Sequence, residues 1–160
     1  CEFMDIRMKE YIDPAEAMAR LNANMTSEMQ ISEAYYSDSK FTDLKWMLYR
    51  ITIFSPCDLN EMVSRCNELF ASDSIEVEKK NSDKTVDIKP LIRSATAEKE
   101  GDSIVILATL SADPSAFLNP EYVIKALRNK CGLLSSSDLM SEHYEIMRLG
   151  AYFGDMTEFR

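Results

Sequence analysis

The chain is short of glycine. Four glycines occur in 160 residues, at positions 101, 132, 150 and 154. Residues so scattered cannot assemble a glycine-rich loop that cradles phosphates. Histidine is scarcer still. The single His143 has no other histidine or cysteine close to it in sequence, so no metal-ligand spacing forms around it. It is expected on the surface or at the edge of a strand. The four cysteines, Cys1, Cys57, Cys66 and Cys131, include no CxxC pair, which removes the common zinc and dithiol redox motifs. Long apolar runs are missing too. The longest, Ile104–Ala108, is strand-sized and far below the roughly 18 residues of a membrane helix. Positive charge is in deficit, with 18 Lys and Arg against 27 Asp and Glu, a formal charge of −9. Most of such a surface repels a phosphate backbone, so nucleic-acid binding would need a local basic patch.

What is present reads as an ordinary folded domain. Apolar residues make up 46% of the chain, enough for a core without disulfide staples. Ten methionines without paired cysteines fit a reducing compartment, and a cytoplasmic location is expected. Cys66 falls on an apolar helical stripe and is expected in the core, as is Cys131. The chain opens on Cys1 rather than Met, which suggests a piece of a longer protein.

The patterning divides in two. Over residues 3–11, Met4, Ile6 and Met8 alternate with Asp5, Arg7 and Lys9, the period of a strand with one buried face. Asp13-Pro14-Ala15-Glu16 is a helix start, with an acceptor side chain, a proline that needs no N–H and an early acid. Met18, Leu21 and Met25 recur at helical spacing, and Met29, Ile31 and Tyr35 suggest a second strand. Ser37–Asp43 is polar and reads as a linker. Beyond it, Trp46–Phe54 is rich in aromatic and β-branched residues and predicts a strand. Ser55-Pro56-Cys57-Asp58 opens a helix whose stripe runs Leu59, Met62, Val63, Cys66, Leu69 and Phe70. Ile75 and Val77, a turn over Asn81–Lys84, and Val86–Lys89 ending at Pro90 predict a hairpin arm. Glu100-Gly101-Asp102 marks a second turn. Ile104–Leu110 predicts a central strand covered on both faces. Asn119-Pro120 opens a third helix that Gly132 ends, and Tyr144–Phe153 closes the chain as a strand.

From Trp46 onward the order is strand, helix, strand with an extra arm, strand, helix, strand. That is the split βαβ pattern, so the expected fold is α+β: a ferredoxin-like antiparallel sheet with helices on one face. Residues 44–160 form this domain. Residues 1–43 read as the C-terminal half of a second such module plus a linker. A half-module cannot bury its own sheet face and would pack on the second module or pair with another chain, so self-association is one of two expected ways to cover it.

Several stretches carry a resemblance: Cys1-Glu2-Phe3-Met4-Asp5-Ile6 with Asp13-Pro14 and Leu21-Asn22, then Lys84-Thr85-Val86-Asp87-Ile88-Lys89-Pro90-Leu91-Ile92, then Arg148-Leu149-Gly150-Ala151-Tyr152. They resemble a bacterial domain of unknown function that occurs fused to, or encoded beside, radical-SAM proteins. The resemblance spans essentially the whole chain. It implies a radical-SAM protein as partner, and it implies that the family's upstream segment, with its Pro- and His-containing loop, is absent here. Lys89 stands where the family usually has Arg, replacing a planar fork by a point charge.

A radical-SAM cluster needs three closely spaced cysteines, and this chain has none, so it is not the catalytic radical protein. Ser135-Ser136-Ser137-Asp138 has no base nearby in sequence and reads as a loop. No catalytic residue, metal or cofactor is assigned. Binding candidates are Asp87, Lys89, Arg93 and Arg148, charges set on strands otherwise suited to burial. Between Lys79 and Arg93, five cations (Lys79, Lys80, Lys84, Lys89, Arg93) stand against Asp83 and Asp87. This arm would touch RNA phosphates, or its lysines would simply guard an edge strand. The expected function is a non-catalytic accessory module that binds a partner protein or its substrate. The alternatives are an RNA-binding or RNA-modification accessory domain, or an enzyme whose catalytic residues lie in the absent segment.

Overall fold

The computed structural model describes residues 2–79, 84–136 and 140–160. Cys1, Lys80, the turn residues Asn81–Asp83, and Ser137 and Asp138 of the serine-rich loop lie outside the described residues. The chain falls into two compact units: residues 2–40 with Arg160, and Phe41–Phe159.

In the larger unit, strand β1 (Trp46–Phe54) leads to helix α2 (Leu59–Ala71). A short antiparallel hairpin follows, β2 (Glu76–Glu78) with β3 (Thr85–Asp87). Strand β4 (Ile92–Glu100) turns back at Gly101, whose φ of +58° suits a residue without a side chain, into β5 (Ser103–Ser111). Helix α3 (Glu121–Ala126) runs into a π turn over Leu127–Cys131 and stops at left-handed Gly132, and β6 (His143–Tyr152) ends the sheet. The four long strands lie in the order β4-β5-β1-β6, with every neighbouring pair antiparallel. This is the interleaving expected of a split βαβ fold, with the β2–β3 arm outside the main sheet.

Alternation decides what each face buries. Tyr49, Ile51 and Ile53 of β1 align with Ala108, Ile106 and Ile104 of β5, and all six are buried. Onto this face α2 turns Met62, Cys66 and Phe70, and α3 turns Val123 and Ile124. Each fully buried Ile or Leu contributes roughly 1.5–3 kcal/mol relative to exposure, so this layer supplies most of the unit's stability. Cys66 and Cys131 both lie in that core. The contact with Cys131, together with burial, pushes the Cys66 thiol up. The N-cap of α2 is Asp58, whose carboxylate accepts from the N–H groups of Asn60 and Glu61 at 3.0 and 3.3 Å. On α2, Asn67 reaches the edge strand: its amide donates to the Ala97 carbonyl and its oxygen accepts from the Ala97 N–H, both at 2.9 Å.

In residues 2–40 the one regular element is helix α1 (Pro14–Asn22), capped by Asp13, and it buries no residue. The strands expected over 3–11 and 29–35 do not form there. An alternating stretch becomes a strand only when a neighbour completes its ladder, and here side chains serve the backbone instead. Tyr36 Oη accepts from Ile12 N–H and donates to Ile12 C=O, while Asn22 holds both the N–H and C=O of Ile31. Met4, Ile6 and Met8 consequently remain exposed.

Candidate functional site

The residues singled out by charge resolve into separate places. Asp87 ends β3, and its Oδ1 accepts from Ile75 N–H at 2.8 Å and Lys89 N–H at 2.9 Å. Those N–H groups of Lys89 and Ile75 hold the carboxyl below the usual range. The Lys89 ammonium donates to the carbonyl of Phe70 in the last turn of α2, a favourable place for a cation. Asp87 and Lys89 therefore tie the hairpin arm to the helix end. Arg93 lies elsewhere. It is the extra residue where β4 slips register against β5, and its guanidinium stands 5.4 Å from the centre of the Trp46 ring. Arg148 sits on β6 opposite Tyr49, 5.9 Å from that ring's centre. Of the four candidates the structure brings together only Asp87 and Lys89.

The basic arm is likewise dispersed. Lys89 is bound to the helix end and Arg93 to Trp46, while the Lys79 N–H pairs with the Lys84 carbonyl in the hairpin. His143 is exposed at the start of edge strand β6, its ring stacked on Phe54 at 4.4 Å. Among the described residues no group of three His, Cys, Asp or Glu side chains is placed to hold a metal ion. None of the helices there is long and apolar enough to cross a membrane.

A buried carboxylate escaped the sequence reading. Glu142 is 9% exposed. It accepts from the Ser55 hydroxyl at 2.6 Å and from the N–H groups of Ser136 at 2.6 Å and Leu134 at 3.2 Å. Burial pushes its carboxyl up, but the Ser55 hydroxyl and the loop N–H groups outweigh that and hold it below the usual range. No local pattern around Glu142 announces this. Along the loop that supplies these N–H groups, Gly132 and Leu134 both take positive φ.

The second face of the sheet is the larger omission. The residues of β1 that turn away from α2 and α3 are Trp46, Leu48, Arg50, Thr52 and Phe54, and neither of those helices covers them. Leu107 of β5 and Met147 of β6 flank Arg50 in the same cross-strand row and are 42% and 59% exposed. Central strand β5 is buried on both faces as expected, Ser103, Val105, Thr109 and Ser111 included, except at Leu107, which is left open. In the next row Glu145, Thr52, Val105 and Glu98 lie side by side. Glu100 forms an ion pair with Arg50. Beside that pair a depression of about 200 Å³ is lined by Thr96, Glu98 and Leu107 among others. At the other end, Tyr152 lies over Gly150, where an added Cβ would fall 2.6 Å from its hydroxyl. Leu149 is the extra residue of a second bulge and is 43% exposed. The signal that marks this face in the sequence is a strand apolar at both parities: Trp46-Met47-Leu48-Tyr49 leaves no polar side.

Searches among curated proteins and among solved structures found no match to this chain. A family described as "Uncharacterized protein conserved in bacteria (DUF2344)" matches residues 1–120. Three quarters of the sequence lies within that match, and the chain belongs to this bacterial family.

Proposed function

We propose that the chain is a non-catalytic accessory module that docks a partner protein, a radical-SAM enzyme, through the second face of its sheet. The observation that carries this reading is the exposure of Leu107 and Met147 on either side of Arg50, on a face that α2 and α3 leave open. Apolar side chains set together at the surface mark association sites more often than solvent-facing ones. The radical-SAM identity of the partner rests on the sequence resemblance. Residues 1–43 belong to the same proposal: their alternating segments gain strand partners only against another sheet, and Asn22 already holds both backbone groups of Ile31. RNA is the weaker reading, because Lys89 and Arg93 of the basic arm are engaged within the fold.

The test is co-purification with the full-length chain as bait, in wild-type form and as Leu107→Asp with Met147→Asp. A radical-SAM protein, recognised by its three-cysteine cluster motif in mass spectrometry, should be retained by the wild type and lost from the double variant. Equal retention by both, or retention of RNA alone, would overturn the proposal.

A further inference from the structure

The charge distribution on the second sheet face specifies what kind of surface fits it. Glu98 on β4 and Glu145 on β6 occupy one cross-strand row at opposite edges of the sheet, three strand spacings apart. At about 4.8 Å per spacing that is roughly 14 Å. Between them in that row lie Thr52 and the buried Val105, and in the next row Met147 and Leu107 stand on either side of Arg50. The central cation of the face, Arg50, is already matched by Glu100. The face therefore carries two exposed apolar side chains, Leu107 and Met147, on either side of the Arg50 ion pair and next to a row that ends in two carboxylates, on a chain of net charge −9.

An α-helix with its side chains is about 10–12 Å across, which fills the space between those carboxylates. On the other face of this same sheet, helices already serve as the covering layer, and a sheet buries an apolar face best against another such layer. We infer that the occupant is an amphipathic helix of the partner protein, its apolar stripe on Leu107 and Met147 and its lysines or arginines flanking that stripe to meet Glu98 and Glu145. A second copy of this chain is disfavoured, since two surfaces of the same net negative charge would be pressed together. This inference rests on the docking reading above and adds the chemistry of the partner.

Trp46, the sole tryptophan, stands on the same face and reports its occupancy. The probe is a synthetic amphipathic Leu/Lys helix of about 18 residues, some five turns, with a Leu/Glu peptide of the same pattern as control. Titration of the full chain should show saturable binding of the Leu/Lys peptide with a change in Trp46 emission, and no binding of the Leu/Glu peptide. Glu98→Lys with Glu145→Lys should weaken it about tenfold or more. Met147→Asp should weaken it at unchanged charge on the two carboxylates. Circular dichroism checks that each variant is folded.

Equal binding of the Leu/Lys peptide to wild type and to the charge-reversed variant overturns the inference, as does an unmoved Trp46 signal. Binding of an oligouridylate in its place, or a dimer in sedimentation that Met147→Asp dissolves, overturns it in favour of RNA or of self-association. If the peptide fails while a radical-SAM protein is still lost from the Leu107/Met147 double variant, the docking reading stands and only the basic helix is wrong. If the peptide binds as described while that protein is retained by the double variant, the face is a basic-helix site and the radical-SAM reading fails.

Discussion

Residues 2–40 and residues 41–159 start their helices with the same device and arrive at different ends. Asp13 and Asp58 each cap a helix by accepting from the second and third N–H groups beyond them, at matching distances of 3.0 and 3.3 Å. Helix α2 then buries Met62, Cys66 and Phe70, whereas α1 buries nothing. Capping is local chemistry and needs no tertiary partner, so it works equally in both. Burial needs a sheet, and only the larger unit has one. A helix is defined by its own hydrogen bonds, while a strand is defined by its neighbour's.

The widest gap between the two regions is expected in truncation of apolar side chains. Ile51→Ala in the core layer should cost about 2–5 kcal/mol, read as a lowered urea midpoint at unchanged slope. Leu21→Ala on α1, already 37% exposed, should stay within about 0.5 kcal/mol. Similar costs at both sites would erase the contrast.

Glu142 sharpens it through pH. Its folded-state carboxyl lies below the usual range, so its contribution is present above the unfolded carboxylate's pKa and is lost as pH falls through the folded one. Glu142→Ala should destabilise by about 1–3 kcal/mol at neutral pH by leaving the loop N–H groups without their acceptor. Glu142→Gln should flatten the acid limb of a stability-against-pH curve measured by urea unfolding. An unchanged acid limb in the Gln variant would assign that limb to other carboxylates, Asp87 among them.

The smallest effect compares two asparagines doing the same job. Asn67 and Asn22 each hold the N–H and C=O of one residue, Ala97 and Ile31. Asn67→Ala should lower global stability by about 1–2 kcal/mol, because Ala97 belongs to the sheet. Asn22→Ala should leave the global midpoint in place and accelerate hydrogen exchange at Ile31 alone. A shift of the global midpoint by Asn22→Ala would show that residues 2–40 are more firmly integrated than α1's lack of burial implies.

The parts of the fold legible in the sequence are those with a local or two-periodic signature. Asp58 with the Leu59–Phe70 stripe gives α2, the β-branched run gives β1, Glu100-Gly101-Asp102 gives the β4–β5 turn and Gly132 the end of the third helix. Their sequential order then suffices for the interleaved sheet, since few topologies connect such elements. The alternation of Met4, Ile6 and Met8 misled because periodicity records what a segment is able to bury, not whether a partner is present. The charged candidates misled in a related way. The expected strand over Val86–Lys89 ends at Asp87, and Lys89 opens a 3₁₀ turn over Lys89–Leu91; the two are charged because they close a turn and a helix end, groups distant in sequence or hidden in the backbone. The open sheet face was passed over for the opposite reason. Leu107 and Met147 look like core residues in any local window, and only the strand register puts them on the side that α2 and α3 do not reach.

The paired hydrogen bonds between Asn67 and Ala97 bear on more than stability. A foreign strand arriving along β4 would have to evict that amide before its own backbone groups could register, and it would meet the obstacle at mid-strand, where a ladder is hardest to interrupt. Edge-to-edge addition is thereby steered toward the opposite rim at β6, and there toward its His143 end, since Glu158 and Phe159 already pair along Ala151–Tyr152.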